Sequence, residues 1–328
     1  MSVEEIFSEF LKNHCQKRPP LLLGLSGGPD SMALYSLLLA ADYPFEVAHV
    51  DHGWRRESSA EASFLAEACL KSGIPFHAKR LEPPEDKKNL EDKGRRARLA
   101  FFKEVLELRN LKGVLLAHHR DDQAETVLKR LFEGASLPKL KGLAVRAEVE
   151  GMVLYRPLLK VTKLTIINWL EEKKIPYFVD PTNEDFHFLR TRLRKELIPS
   201  LSAHFGKEIA APLCRLGEAS YELSEFLETL CAPYLSRVET SETGIALDFS
   251  IETPQSPFLW KSVLRSFFEK QGISLPQSIL ESMLGHLQKG NGHKSLRFCG
   301  HTVFINRKKI ILGRVVNSMV DRERENNI

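Results

Sequence analysis

Paired cysteine is missing from this sequence. Cys15, Cys69, Cys214, Cys231 and Cys299 are scattered, with no Cys-x-x-Cys among them. The pattern excludes a disulfide-built fold and leaves the thiols as packing residues of a reducing compartment. No apolar run approaches the ~20 residues needed to span a bilayer. The segment from Met1 to His14 is acidic and amphipathic, without the basic and apolar regions of a leader. A soluble, cytoplasmic protein with no membrane partner is therefore expected. Repeats and low-complexity blocks are also lacking. The charge is nearly balanced, 47 Lys and Arg against 43 Asp and Glu, for a formal net charge of +4. That excess permits a nucleic-acid partner but does not demand one. With 43% hydrophobic residues over 328 positions, the chain can bury a sizeable core, and its length suggests two domains.

What is present is organised around Leu21 to Leu34. The apolar run Leu21-Leu22-Leu23-Gly24-Leu25 reads as a buried parallel strand, Ser26-Gly27-Gly28-Pro29 as a tight turn, and Asp30-Ser31 as the opening of an apolar helix. Such a junction gathers backbone N–H groups, two hydroxyls and the positive end of a helix dipole, which suits a phosphate. The Lys-Ser/Thr of a Walker A loop is absent, and Asp30 stands where phosphate charge would collect. A carboxylate there implies Mg²⁺ between the two.

Further along, Phe45 to Val50 reads as a second strand ending on Asp51-His52-Gly53-Trp54-Arg55, and Ser58 to Ser72 as a helix. Phe76 to Leu81 alternates as a third strand. A helix from Asn89 to Leu108 carries Glu91, Arg95 and Arg98 on one side, with Glu91 and Arg95 spaced as an ion pair; a solvated face and a phosphate-binding face both fit this spacing. Val114 to His119 reads as a fourth strand, followed by a helix opening Arg120-Asp121-Asp122-Gln123-Ala124-Glu125. Capping accounts for one or two of these acids, but less well for His118, His119, Asp121, Asp122 and Glu125 together at a strand's carboxyl end. A zinc site is a third reading, without cysteine support. Between Lys129 and Lys163 cations outnumber acids, as beside a phosphate backbone. Thr162 caps a helix running to Lys173, Ile175 to Asn183 returns as a strand and turn, and Arg190 to Lys195 opens a second basic helix. Beyond His204 come helices over Ile209 to Val238, Pro257 to Gln271 and Pro276 to Lys289, with strands at Gly244 to Phe249, Ser295 to Phe298, Thr302 to Asn306 and Lys309 to Leu312.

Ser26-Gly27-Gly28-Pro29-Asp30-Ser31 resembles the pyrophosphate loop (PP-loop) of N-type ATP pyrophosphatases. Together with Asp51-His52-Gly53-x-Arg55, the His118 to Thr126 string, Arg156-Pro157-Leu158-Leu159 and Asp180-Pro181-Thr182-Asn183, it occurs in the order seen in bacterial tRNA(Ile)-lysidine synthetases. The resemblance covers residues 20 to 200 and extends to a substrate-binding domain after them. It implies an α/β fold: a parallel-sheet PP-loop ATP pyrophosphatase domain over 1–205, a smaller, mainly helical α+β domain over 206–314 that binds tRNA, and a flexible tail over 315–328.

The implied reaction adenylates the wobble cytidine of an isoleucine tRNA with a CAU anticodon, releases pyrophosphate, and lets free L-lysine displace AMP to give lysidine. ATP and Mg²⁺ are the implied cofactors, and a homodimer is compatible with the resemblance. Asp30, His118, Asp121 and Asp122 would be catalytic, with Asp30 on the metal. Ser26, Gly27, Gly28, Pro29, Asp30, Ser31, Asp51, His52 and Arg95 would hold ATP. Arg55, Arg98, Glu125, Arg156, Asn183, Arg190 and Arg192 would meet the other substrates. Thr191 stands where the family usually has Asn, and Gly94 and Leu99 where it prefers Ala and Tyr; none of the three is expected to do chemistry. A thiolase of the same superfamily, or a non-catalytic ATP- and RNA-binding module, would be the competing readings.

Overall fold

The computed structural model describes residues 1–51, 58–81, 90–179, 186, 188–241, 244–289 and 292–313. They fall into two compact units, one ending at Tyr221 and the other beginning at Glu222.

The first unit is built on a six-stranded sheet. Its strands are β1 (Leu21–Gly24), β2 (Phe45–Asp51), β3 (Phe76–Arg80), β4 (Val114–Leu115), β5 (Arg146–Val149) and β6 (Met152–Tyr155), in the order β3-β2-β1-β4-β6-β5. All neighbours pair in parallel except the β5–β6 hairpin at the edge. Its helices are α1 (Val3–His14), α2 (Pro29–Ala40), α3 (Ser58–Lys71), α4 (Leu90–Arg109), α5 (Arg120–Phe132), α6 (Lys163–Glu172), α7 (Leu189–Arg192) and α8 (Ile198–Phe205). Leu21, Leu23, Val47 and Leu115 face a core shared with α1, α2, α3 and α6, whereas Leu22, Ala48, Val114 and Leu154 face α4. Strand residues buried on both faces explain the unbroken leucines. Because β1 has β2 on one side and β4 on the other, the chain reverses direction of travel across the sheet between β1 and β4. In doubly wound sheets ligands bind at that switch point, beyond the carboxyl ends of the strands.

The strand expected over 175–183 does not form in its described part. Lys174 takes a left-handed φ of 55° after α6. Ile175 then donates its N–H to the Leu170 carbonyl, and Phe178 donates to Gly27. Those N–H groups close a helix and brace the phosphate loop, so they are not available to a sheet. The fourth strand is also shorter than expected, because the chain leaves the sheet after Leu116 to present His118 and His119.

The second unit contains an antiparallel sheet of β7 (Val238–Ser241), β8 (Gly244–Asp248), β9 (His293–Phe298), β10 (His301–Asn306) and β11 (Lys309–Gly313), in the order β7-β8-β11-β10-β9. Phe249, Val303, Ile305 and Ile310 meet Trp260, Phe267 and Phe268 of α10 (Pro257–Lys270) and Leu280 and Met283 of α11 (Gln277–Lys289).

The division between units falls inside α9 (Ala210–Leu235), not at 205/206. Ala210, Leu213 and Cys214 pack on Ala124, Val127 and Leu128 of α5, which binds the start of α9 to the first unit. The proposed tail over 315–328 lies outside the described residues.

Candidate active site

The phosphate loop follows β1 and ends at the N-terminus of α2, with Gly28 as N-cap and Pro29 as the first helical residue. Pro at that position loses no helical hydrogen bond. Ser31 is buried, and its Oγ accepts from the N–H groups of Ser26 (3.2 Å) and Gly27 (3.1 Å) and donates to the Gly28 carbonyl (3.0 Å). Ser31 therefore also holds the loop in shape through its hydroxyl. Ser26 is exposed, and its Oγ lies 3.1 Å from Ser31 Oγ and accepts from the Gly28 N–H at 3.4 Å. Gly27 has φ of +84°, and a Cβ there would stand 2.9 Å from the Phe178 ring. Glycine is thus required at 27 by backbone conformation and by the packing of Phe178.

Across the switch point, the chain after β4 leads into α5. His119 caps this helix: its Nδ1 accepts from Asp121 N–H at 3.2 Å, and its own N–H donates to Asp122 Oδ2 at 2.9 Å. Three carboxylates surround the buried ring, with Asp121 Oδ2 3.3 Å from Nδ1, and Asp122 Oδ2 at 3.5 Å and Asp30 Oδ1 at 3.8 Å from Nε2. Burial opposes a charge on His119, but Asp121 and then Asp122 and Asp30 outweigh it and raise the pKa above that of ordinary imidazole. Sequence reasoning singled out His118, whereas the structure places His119 at the centre of the acids.

Two cations face this group, neither of them assigned a role from sequence. Lys163 Nζ meets both oxygens of Asp30, at 2.7 and 2.6 Å, and its backbone N–H donates to Asp121 Oδ2 at 2.8 Å. Arg194, in a π-helical turn over Leu193–Leu197, meets Glu125 Oε1 through Nε at 2.6 Å and Asp122 Oδ1 through Nη2 at 3.4 Å. The local signal for Lys163 was its place just after the Thr162 cap; for Arg194 it was the i, i+4 spacing from Arg190.

The carboxylates do not behave alike. Burial would raise Asp121, but His119 and the Lys163 N–H bring it down to about 2. Burial also opposes ionisation of Asp122, yet His119, His118 and Arg194 hold it below the usual range. Glu125 is raised by burial despite Arg194. A ¹³C NMR titration of the Asp121 carboxyl should accordingly give a midpoint near 2; a midpoint near that of a free aspartate would contradict the arrangement. Because this pKa is depressed, its contribution to stability is present above the unfolded-state value and is lost as pH falls toward about 2.

His118 and the arginines form a second side of the site. His118 Nδ1 is buried without a hydrogen-bond partner among the described residues, and burial, opposed by Asp122 and reinforced by Arg156, Arg190 and Arg98, lowers its pKa to about 4. Arg156 is buried, donates from Nη1 to the Ala144 carbonyl at 2.8 Å, and leaves Nε without a partner among the described residues. Burial and then Arg95 lower its pKa to about 10. Arg98, Arg156 and Arg190 thus act together on His118, while Arg192 is exposed on α7 and enters none of these contacts. Asp51 ends β2, buried, with Arg80 Nε 3.8 Å away. His52, Arg55 and Asn183 lie outside the described residues, as does the side chain of Glu91 proposed to pair with Arg95.

Among the described residues no group of three or more His, Cys, Asp or Glu is arranged to hold a metal ion, so the zinc reading has no support. Magnesium needs less. It keeps several waters and is commonly held by one or two carboxylates with substrate phosphates, and the part-exposed Asp30 at the loop fits that donor set. No helix of the described residues is long and apolar enough to cross a membrane.

A parallel sheet with this loop at its switch point defines a PP-loop domain, and that domain family matches residues 1–201. The fold is similar to that of the U34-tRNA thiolase NcsA from Methanococcus maripaludis, with a TM-score of 0.55 and 18% identity over 67% of this chain and 80% of that one. In sequence, the chain is 42% identical over 298 residues to a tRNA(Ile)-lysidine synthase of Chlamydia muridarum, covering 90% of this chain and 92% of the relative. It is also 42% identical over 271 residues to the Chlamydia pneumoniae enzyme of the same name, covering 82% and 85%. The chain belongs to the tRNA(Ile)-lysidine synthase family.

Proposed function

We propose that this protein uses ATP to join free L-lysine to C2 of the wobble cytidine of an isoleucine tRNA with a CAU anticodon, forming lysidine through an adenylated cytidine. One observation carries the reading: Asp30 of the phosphate loop and the Asp121–Asp122 pair of α5 converge on a single His119 ring. A site for a phosphate chain therefore borders a site for a cation. Ser26 and the Gly27–Gly28 backbone bind and orient the phosphates, and Asp51 and His52 border the nucleotide as the family resemblance implies. Bound at Asp30, Mg²⁺ would stabilise the charge of the departing pyrophosphate.

Asp122, held ionised, binds the ammonium of lysine. That ammonium must lose a proton before attack. We assign that proton to the Asp121–Asp122 pair or to His118, which burial keeps neutral at pH 7. The arginines around His118 contact phosphates of the nucleotide or the RNA. Cytidine in an anticodon loop is already single-stranded and open to the site.

The second unit holds the tRNA body. Its support is a cleft of about 500 Å³ lined by His293, Arg307, Lys308 and Lys309 against one acid, Asp248. A thiolase reading gains nothing from the cysteines: four are buried, one is exposed, and none joins a three-residue metal group among the described residues.

Mass spectrometry of the tRNA after incubation with ATP and isotopically labelled lysine tests the reaction. A lysine-mass increment at the wobble cytidine that requires ATP is expected, and an unmodified nucleotide would refute it. Asp122→Ala should raise the lysine KM at least about tenfold, the scale of a lost charge-assisted contact, while tRNA affinity changes little. Equal losses in both would remove Asp122 from the lysine site.

A further inference from the structure

The ion pair between Lys163 and Asp30 joins residues 133 positions apart in the sequence and uses both carboxylate oxygens. Its position is set by the core. Ile166 and Leu170 of α6 are buried with Leu34, Leu37 and Leu38 of α2, so the first turns of the two helices are held beside each other. The Lys163 N–H on Asp121 fixes the same turn from the other side. Both partners of the ion pair are part-exposed, and pairs of that kind contribute little to stability.

The loop presents an electrostatic conflict that the pair resolves. Gly27, Gly28 and the α2 N-terminus attract anions, yet Asp30 in the first turn repels them. Deleting the carboxylate would end the conflict but would also remove the loop's only acid. We propose that Lys163 is a positioning residue of the phosphate site, whose ammonium neutralises Asp30 while no metal ion is bound there, so that the metal-free loop still admits a polyphosphate. The proposal rests on the reading of this loop as the ATP site and adds to it the residue that balances its charge.

The test is calorimetric titration of the full-length protein with inorganic pyrophosphate, in EDTA. Lys163→Met should bind about 10- to 100-fold more weakly than wild type, the range expected for a charge-assisted interaction. Lys163→Arg should stay within a few-fold of wild type. Combining Asp30→Asn with Lys163→Met should restore affinity, because the repelling charge is gone; a purely structural loss would not be restored. Melting curves of all the variants should lie close to wild type. Unchanged binding in Lys163→Met, or a double variant as weak as the single one, would overturn the proposal. Failure of wild type to bind pyrophosphate or ATP would instead overturn the reading of the loop.

Discussion

Arg194→Met is expected to destabilise the first unit by about 1 to 3 kcal/mol, the cost of leaving the buried Glu125 carboxylate without its partner, Arg194 itself being part-exposed. Glu125 is only 1% exposed, and Arg194 supplies its closest cation, through Nε at 2.6 Å and Nη2 at 3.2 Å. Without the guanidinium, an ionised carboxylate would remain in the interior, and the protein can lower that cost only by protonating it. The variant's Glu125 pKa should then rise further than burial already takes it. A raised acid binds more protons folded than unfolded, so stability should be highest below the unfolded-state pKa and fall as pH rises toward the folded-state value. Urea unfolding at pH 5 and pH 8 checks this. The variant should lose more at pH 8, and adding Glu125→Gln should flatten the pH dependence and recover much of the loss. A variant as stable as wild type at pH 8 would show that Arg194 does not balance Glu125.

The same residues show what could be read from sequence and what could not. Elements specified by local pattern were legible: the leucine run of β1, the small residues of the loop and the capped start of α5 each carry their own signal within about ten positions. The β5–β6 hairpin was not. Arg146 and Glu148 look solvated, and the Glu150–Gly151 turn, with both φ positive, lacks the usual Asn-Gly. Its place at the sheet edge depends on β4, whose partner could not be chosen from spacing.

Charge balance failed to show for the same reason. Asp30, Asp121, Asp122 and Glu125 were visible as an acidic group, but their cations lie at distant positions along the chain. Lys163 looked like one more basic residue in a basic stretch, and Arg194 like part of a helix start. Only the packing of α6 on α2, and of the turn at Leu193 on α5, gives those cations their partners. Ser31 adds a role that local pattern did not show: its hydroxyl accepts from the N–H groups of the tight turn, which must be satisfied.

A fragment ending at residue 205 should fold poorly, whereas one ending at 221 should fold and retain ATP affinity. Helix α5 carries Asp121, Asp122 and Glu125 on its first turns and buries Ala124, Val127 and Leu128 against Ala210, Leu213 and Cys214. Arg120 is held on the same segment through Glu208 at 3.3 Å, and its carbonyl accepts from the Cys214 thiol. Cutting at 205 removes all of these contacts. Losing Leu213 alone would cost about 2 to 5 kcal/mol, as in a buried Leu→Ala change. That is a large share of the roughly 5 to 15 kcal/mol that keeps a domain folded. Thermal unfolding should therefore place the 205 fragment well below the 221 fragment. The 221 fragment should bind ATP like the whole chain but hold tRNA more weakly, with a shallower dependence on salt, because fewer phosphate contacts release fewer counterions. Two results would count against this account. A 205 fragment as stable as the longer one would mean that the start of α9 does not support the site. A 221 fragment that binds and modifies tRNA as well as the full chain would mean that the second unit is not where tRNA is held.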